Sequence, residues 1–261
     1  MGKVTAPVCL CGEHYWNVNV PHIRMKGSVL VAGPPRTGST KVHQILKLIN
    51  QIRIESPNFN PSKHPNSPPW KSYNYNKTFD IEVLKTHRYF KDACPFIGWV
   101  PAVFFCIRHP FDVVYSHLRY LGRLEKDDLP YEEIDILFQD CNRLVIFYNI
   151  LDEPAIKAVF APNVENHIIF IKYEDYWGDN LKLVNELVDA MKAAYPKIEV
   201  NDENIKKIAY ATNVEINYKK SKTGGGDGIH QEHVGELRGK PGQGSQLPQK
   251  YKKYIIDSYS A

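Results

Sequence analysis

The loop from Gly33 to Thr40, reading Gly-Pro-Pro-Arg-Thr-Gly-Ser-Thr, constrains the fold more than any other stretch of the chain. Before it, Ser28-Val29-Leu30-Val31-Ala32 is a short apolar run that reads as a buried strand. After it, Val42, Ile45, Leu46 and Ile49 recur at helical spacing. The order strand, glycine loop, helix brings backbone N–H groups and the positive end of a helix dipole to one point, which makes an anion cradle. Such a loop also serves as a plain strand-to-helix turn, so an anion site depends on what the rest of the chain brings to it.

The segments that follow repeat the alternation. Residues 81–87 read as a second strand, Ala102–Ile107 as a third and residues 168–172 as a fourth. Pro110 suits a first helical position, and Val113, Val114, His117, Leu118 and Leu121 form a helical stripe behind it. Further helices are expected at about 131–151 and 181–194, and five prolines in 57–70 mark an irregular loop. Strands alternating with helices predict a three-layer, P-loop-like α/β fold with a central parallel sheet flanked by helices. With 261 residues and 43% hydrophobic content, a single domain spanning 1–261 is expected. A glycine-rich, charged stretch at about 221–246 reads as a mobile flap within it.

The formal charge of +4 comes from 33 basic residues set against 29 acidic ones, which favours a local anionic ligand over a nucleic-acid wrapping surface. Five cysteines (Cys9, Cys11, Cys94, Cys106 and Cys141) are an odd number without framework spacing, as in a reducing compartment. No second pair follows Cys9 and Cys11 at zinc-site spacing, so no metal is expected. The chain has neither an apolar membrane span nor the apolar core of a signal peptide, and a soluble, cytoplasmic protein without membrane partners is predicted.

Gly33, Gly38, Ser39 and Thr40 keep the spacing of a Walker A loop, but Ser39 stands where that loop has its lysine, and Arg36 comes three residues earlier. The third strand ends in Arg108, where a nucleotide triphosphatase would place a magnesium-holding aspartate. The loop therefore fits phosphate binding without phosphoryl transfer. Arg108, followed at once by a proline-initiated helix, is either a second anion position or the ion-pair partner of Asp112. Two cationic strand ends in one sheet imply a ligand with phosphates at two places.

These residues resemble those of the sulfotransferases that use 3′-phosphoadenosine 5′-phosphosulfate (PAPS). Residues 35–40, Pro-Arg-Thr-Gly-Ser-Thr, are similar to the family's 5′-phosphosulfate loop, and Arg108 with Ser116 eight residues on resembles its 3′-phosphate motif. Lys85-Thr86-His87 resembles the strand that carries the catalytic base in the cytosolic branch. Tyr173-Glu174-Asp175 and Thr212-Asn213 look like further donor-binding positions, and Arg238-Gly239 with Gly242 resembles the late segment that closes over the 3′-phosphate. The likeness runs in the family's order from about residue 28 to 245. Two departures stand out. Lys41 replaces a tryptophan that stacks on adenine in many cytosolic members, and the late segment lacks a tryptophan and a basic residue, for which Lys240 substitutes.

Sulfonate transfer needs a proton removed from the acceptor, charge neutralised on the leaving phosphate and the two ends held in line. On a strand, Lys85 and His87 share a face. The resemblance implies His87 as base, with Arg36 and Lys85 stabilising the sulfonate and bridging oxygen. Thr37, Gly38, Ser39, Thr40 and the loop amides would hold the 5′-phosphate. Arg108 and Ser116, with Arg238, Gly239 and Lys240, would hold the 3′-phosphate, with Tyr173 and Thr212 as further donor contacts. The product would be adenosine 3′,5′-bisphosphate (PAP), with no metal. The acceptor is expected to be a small molecule with a hydroxyl or amine, in a pocket drawing on aromatics among Tyr15, Trp16, Phe59, Trp70, Phe90, Trp99, Tyr120 and Tyr148. The compact loops and the Pro-Arg-Thr-Gly-Ser variant point toward bacterial natural-product tailoring. One competing reading is a P-loop kinase-like phosphotransferase, which predicts magnesium-dependent ATP binding. The other is a non-catalytic nucleotide or nucleic-acid module built on Lys219, Lys220, Lys222, Arg238 and Lys240. Asp227, Glu232 and Glu236 interrupt that patch and no aromatic platform accompanies it, so no nucleic-acid partner is expected.

Overall fold

A computed structural model describes residues 28–55, 82–85, 102–122, 131–138, 167–216 and 239–259. Its strands are β1 (Ser28–Ala32), β2 (Glu82–Lys85), β3 (Ala102–Ile107) and β4 (His167–Lys172). Its helices are α1 (Ser39–Glu55), α2 (Pro110–Tyr120), α3 (Tyr131–Phe138), α4 (Tyr173–Tyr176), α5 (Asn180–Ala194), α6 (Asp202–Ala211) and α7 (Gln249–Tyr259), with a 3-10 turn at Gln243–Gln246.

The strands form one parallel sheet in the order β2-β1-β3-β4, with Val31 opposite Lys85, Ala32 opposite Phe105 and Ile107 opposite Lys172. β1 and β3 occupy the centre, which explains their unbroken apolar runs, since a parallel strand is covered on both faces. All six residues of β3 are buried. Ala102, Phe104 and Cys106 join Val29 and Val31 in a core with Ile45, Leu46 and Ile49 of α1. Leu183, Leu187 and Met191 of α5 and Ile205 and Ile208 of α6 complete that layer. Each fully buried aliphatic side chain there contributes about 1.5–3 kcal/mol.

From β1 the chain runs through α1 to β2 on one side, whereas β3 lies on the other side of β1. Strand order therefore reverses between β1 and β3, and the loops leaving their carboxyl ends diverge to open a crevice. Gly33 leaves β1 at φ 137°, and a Cβ there would collide with the carbonyl oxygen of Cys106, so glycine is needed for the two strand exits to lie this close.

The helix ends follow local chemistry. His109 caps α2 by accepting from the Phe111 N–H through Nδ1 at 3.3 Å, ahead of Pro110. Asp179 caps α5 through the Lys182 N–H at 2.9 Å, and Asn201 caps α6 through the Asn204 N–H at 2.9 Å. Leu121, expected in the apolar stripe of α2, instead lies just past the helix and is exposed, because the chain turns at Gly122 with φ 64°. β2 covers residues 82–85 of the strand expected at 81–87, and α3 covers the first part of the helix expected at 131–151; the remainder of each lies outside the described residues. The proline-rich stretch 57–70 lies outside them as well. Of the stretch 221–246, residues 239–246 are described, and they are held against α2: the N–H groups of Gly242 and Gly244 both donate to the Asp112 carboxylate. Tyr115 adds a hydrogen bond from its hydroxyl to Gln246 Oε1 at 2.7 Å.

Candidate anion-binding site at the sheet crevice

A cavity of about 590 Å³ opens at the crevice between the β1 and β3 exits. Residues 35–38 of the loop form its floor. Thr37 Oγ1 donates to the Pro34 carbonyl at 2.7 Å, and Arg36 takes a left-handed φ of 71°, which is uncommon outside glycine. Gly38 follows at φ 84°, and a Cβ there would meet the Tyr173 ring at 2.7 Å, so this position also requires glycine. The Gly38 carbonyl accepts from the Lys41 and Val42 N–H groups and starts α1.

The two arginines meet across this floor. Arg36 Nε donates to Ser116 Oγ at 3.2 Å, and its guanidinium lies 4.7 Å over the Tyr120 ring. Arg108 donates to the Arg36 carbonyl at 3.2 Å and to the Gly239 carbonyl at 3.1 Å, and it packs 4.3 Å over the Tyr173 ring. Asp112 lies 3.8 Å from Arg108 one helical turn along, so the ion pair and the placement at the cavity are realised together. Arg108 is only 5% exposed, yet its Nε has no hydrogen-bond partner among the described residues. A buried donor left in this state is costly to the free protein.

At the neighbouring strand end, Lys85 Nζ donates to Thr40 Oγ1 at 2.6 Å. Desolvation holds Lys85 down to about 8, opposed by the adjacent Cys106, and holds Lys41 down to about 8 as well. Burial pushes the Cys106 thiol up to about 12, which leaves it an inert core residue. Burial also lowers Arg36, with Tyr120 countering and Arg108 adding to the effect, and raises Tyr173 against the pull of Arg108.

Arg36, Thr37, Gly38, Ser39, Thr40, Arg108, Ser116, Tyr173 and Gly239 thus line one cavity, and Lys85 joins it through Thr40. Two expected donor contacts sit elsewhere. Thr212 is fully buried and spends its hydroxyl on the Ile208 carbonyl at 2.8 Å, while its neighbours Asn213 and Val214 reach the cavity wall. Lys240 is exposed and lies off the wall. His87 and Arg238 lie outside the described residues, and so do all the candidate pocket aromatics except Tyr120, which lines the cavity. Sequence reasoning overlooked Asp112 as the anchor of residues 242–244, although its position four residues after Arg108 was a usable signal. It also overlooked Tyr176, Trp177 and Asn180 on the cavity wall. Among the described residues no cluster of metal-ligating side chains occurs, and no helix is long and apolar enough to cross a membrane.

No protein-family model matches the chain, and no curated protein matches it by sequence. Solved structures do match. Retinol dehydratase in complex with androsterone and the inactive cofactor PAP is 17% identical, over 88% of this chain and 79% of that one, with a TM-score of 0.51. Retinol dehydratase with retinol and PAP gives 17% identity over 89% and 80%, with a TM-score of 0.51. Mouse sulfotransferase SULT7A1 complexed with PAP is 16% identical over 90% and 83%, with a TM-score of 0.53. At this level of identity the likeness establishes the fold: a mixed α/β sulfotransferase fold around a parallel sheet.

Proposed function

We propose that this chain is a sulfotransferase that moves a sulfonate group from PAPS to a hydroxyl or amine of a small molecule by in-line displacement, releasing PAP. The observation that carries this reading is the pair of cationic cradles at the β1 and β3 exits, joined where Arg36 meets Ser116 and Arg108 meets the Arg36 carbonyl. A donor with phosphates at two separate positions matches two cradles in one cavity, and the matched solved structures were crystallised with PAP.

In this reading, the loop amides with Thr37, Ser39 and Thr40 take the 5′-phosphate, and Arg108 and Ser116 take the 3′-phosphate, assisted by Arg238 and the Gly239 segment. Tyr173 packs beneath Arg108 as part of the donor site. His87, two residues beyond the end of β2, accepts the acceptor proton as the new oxygen–sulfur or nitrogen–sulfur bond forms. The bond from sulfur to the 5′-phosphate oxygen breaks in the same step. Arg36 and Lys85 offset the charge that gathers on the sulfonate and bridging oxygen. The chemistry needs no metal. The same reading takes 1–261 as one cytoplasmic catalytic domain. The Pro-Arg-Thr-Gly-Ser loop supports a natural-product tailoring role, and the retinol and androsterone complexes support an apolar small-molecule acceptor.

Thermal unfolding with PAP, compared with ATP plus magnesium, tests the donor. At one hundred times its dissociation constant a ligand adds about 2.7 kcal/mol to apparent stability, so PAP should raise the melting temperature by several degrees without metal. Stabilisation by magnesium-ATP and none by PAP would overturn the proposal in favour of a phosphotransferase. Turnover of PAPS by a His87→Ala variant at the original rate would overturn the assignment of the base.

A further inference from the structure

Ser116 and Tyr120 lie one helical turn apart on α2, and both contact the side chain of Arg36. Arg36 Nε donates to Ser116 Oγ at 3.2 Å, and the guanidinium carbon stands 4.7 Å from the Tyr120 ring centroid. One contact takes the Nε edge of the group and the other takes its face. Arg36 Nη1 and Nη2 have no acceptor among the described residues. All three residues line the cavity, and Tyr120, the last residue of the helix, remains 52% exposed.

An arginine side chain has many rotamers to lose, and a single hydrogen bond to Ser116 leaves the guanidinium plane free to turn about it. The negative face of an aromatic ring attracts the cation and fixes that plane without supplying a counter-charge. Arg36 also holds φ at 71°, and Arg108 donates to its carbonyl, so its backbone is fixed from one side and its guanidinium from the other. We propose that Tyr120 is a positioning residue for the donor, its ring holding the Arg36 guanidinium so that Nη1 and Nη2 meet phosphate or sulfonate oxygens as a pre-set pair. The proposal rests on the donor reading above. It gives Tyr120 a task on the donor side, distinct from the acceptor-pocket role that its sequence suggests. A planar fork suits bidentate contact with such oxygens, and holding it in place beforehand lowers the entropy lost on binding.

Isothermal titration of the full chain with PAP, in the absence of any acceptor, tests the proposal. The reference is Tyr120→Phe, which keeps the ring face. Trifluorophenylalanine at position 120 keeps the ring's shape and cancels most of the negative charge on its face, and a chain carrying it should bind PAP about fivefold more weakly than the reference. Tyr120→Leu, which removes the ring, should bind about 5- to 10-fold more weakly. In the Arg36→Met background the three side chains at position 120 should give affinities within about twofold of one another. Equal affinity of the phenylalanine and trifluorophenylalanine chains would overturn the proposal, since packing alone would then account for the ring. A difference that persists in Arg36→Met would overturn it too, because the ring would then act on the ligand directly. Either result leaves the donor reading standing, whereas failure of the wild-type chain to bind PAP would remove that reading and the proposal together. The fluorinated ring preserves packing, so that comparison remains decisive if Tyr120→Leu does not fold.

Discussion

Raising the pH from 7 to 9 should weaken PAP binding by about a hundredfold, through the two lysines at the phosphate loop. Desolvation holds Lys41 and Lys85 to about 8 each, well below an ordinary lysine. The sign follows from the direction of the shift. Each ammonium is lost from the free protein as pH rises through about 8, while a bound phosphate restores it, so binding takes up protons in this range. Each lysine is about nine-tenths charged at pH 7 and about one-tenth charged at pH 9, a factor of roughly ten apiece. Phosphate completes its second ionisation near pH 6, so the ligand's charge is constant across the window. Cys106, pushed up to about 12, does not titrate there either. Isothermal titration in buffers of different ionisation enthalpy counts the protons. The slope of log affinity against pH should approach about minus two above pH 8, shrink to about minus one in Lys41→Met or Lys85→Met, and vanish in the double variant. A wild-type slope near zero, or a slope in Lys85→Met equal to that of wild type, would refute the argument that desolvated lysines supply the binding charge.

Two further outcomes follow from the same contacts. Asp112→Asn should cost about 3 kcal/mol in urea unfolding, because the carboxylate is buried, accepts from two backbone N–H groups and lies 3.8 Å from Arg108. A loss below about 1 kcal/mol would mean that the late segment is not anchored there. Arg108→Met should bring PAP affinity close to that of AMP, and a variant that still separates the two ligands as wild type does would remove Arg108 from the 3′-phosphate.

The central strands and the phosphate loop were legible because local chemistry alone dictates them. Val29 to Ala32 and Ala102 to Ile107 are apolar without interruption, as only doubly covered strands are, and Pro110 marks the start of α2. The sheet order was not legible, because parallel pairing is set by crossover packing between segments far apart in sequence. That order is what brings Arg108 under the β1 loop, so Arg36 and Arg108 were recognisable singly but their contact was not. Thr212 shows the same limit. Its sequence context suggested a ligand contact, whereas the hydroxyl closes the end of α6 on the Ile208 carbonyl. Helix α7 escaped notice because Tyr251 and Ile255 are its buried anchors, too sparse an apolar stripe to detect.

Most of the contacts that orient the cations of the crevice are with groups that do not neutralise them. Arg36 is held by the Ser116 hydroxyl and the Tyr120 ring, Arg108 by two carbonyls and the Tyr173 ring, and Lys85 by the Thr40 hydroxyl. Asp112, the carboxylate nearest Arg108 among the described residues, is engaged by two backbone amides and stands 3.8 Å away. Neutral acceptors fix geometry at little cost to charge, whereas carboxylates would fix geometry and cancel the field. Gathering desolvated cations in this way lowers the stability of the free protein, and lysines held near 8 are the measure of that strain. The arrangement becomes favourable when a polyanion enters, because its phosphates meet donors already in place and no carboxylate has to be displaced.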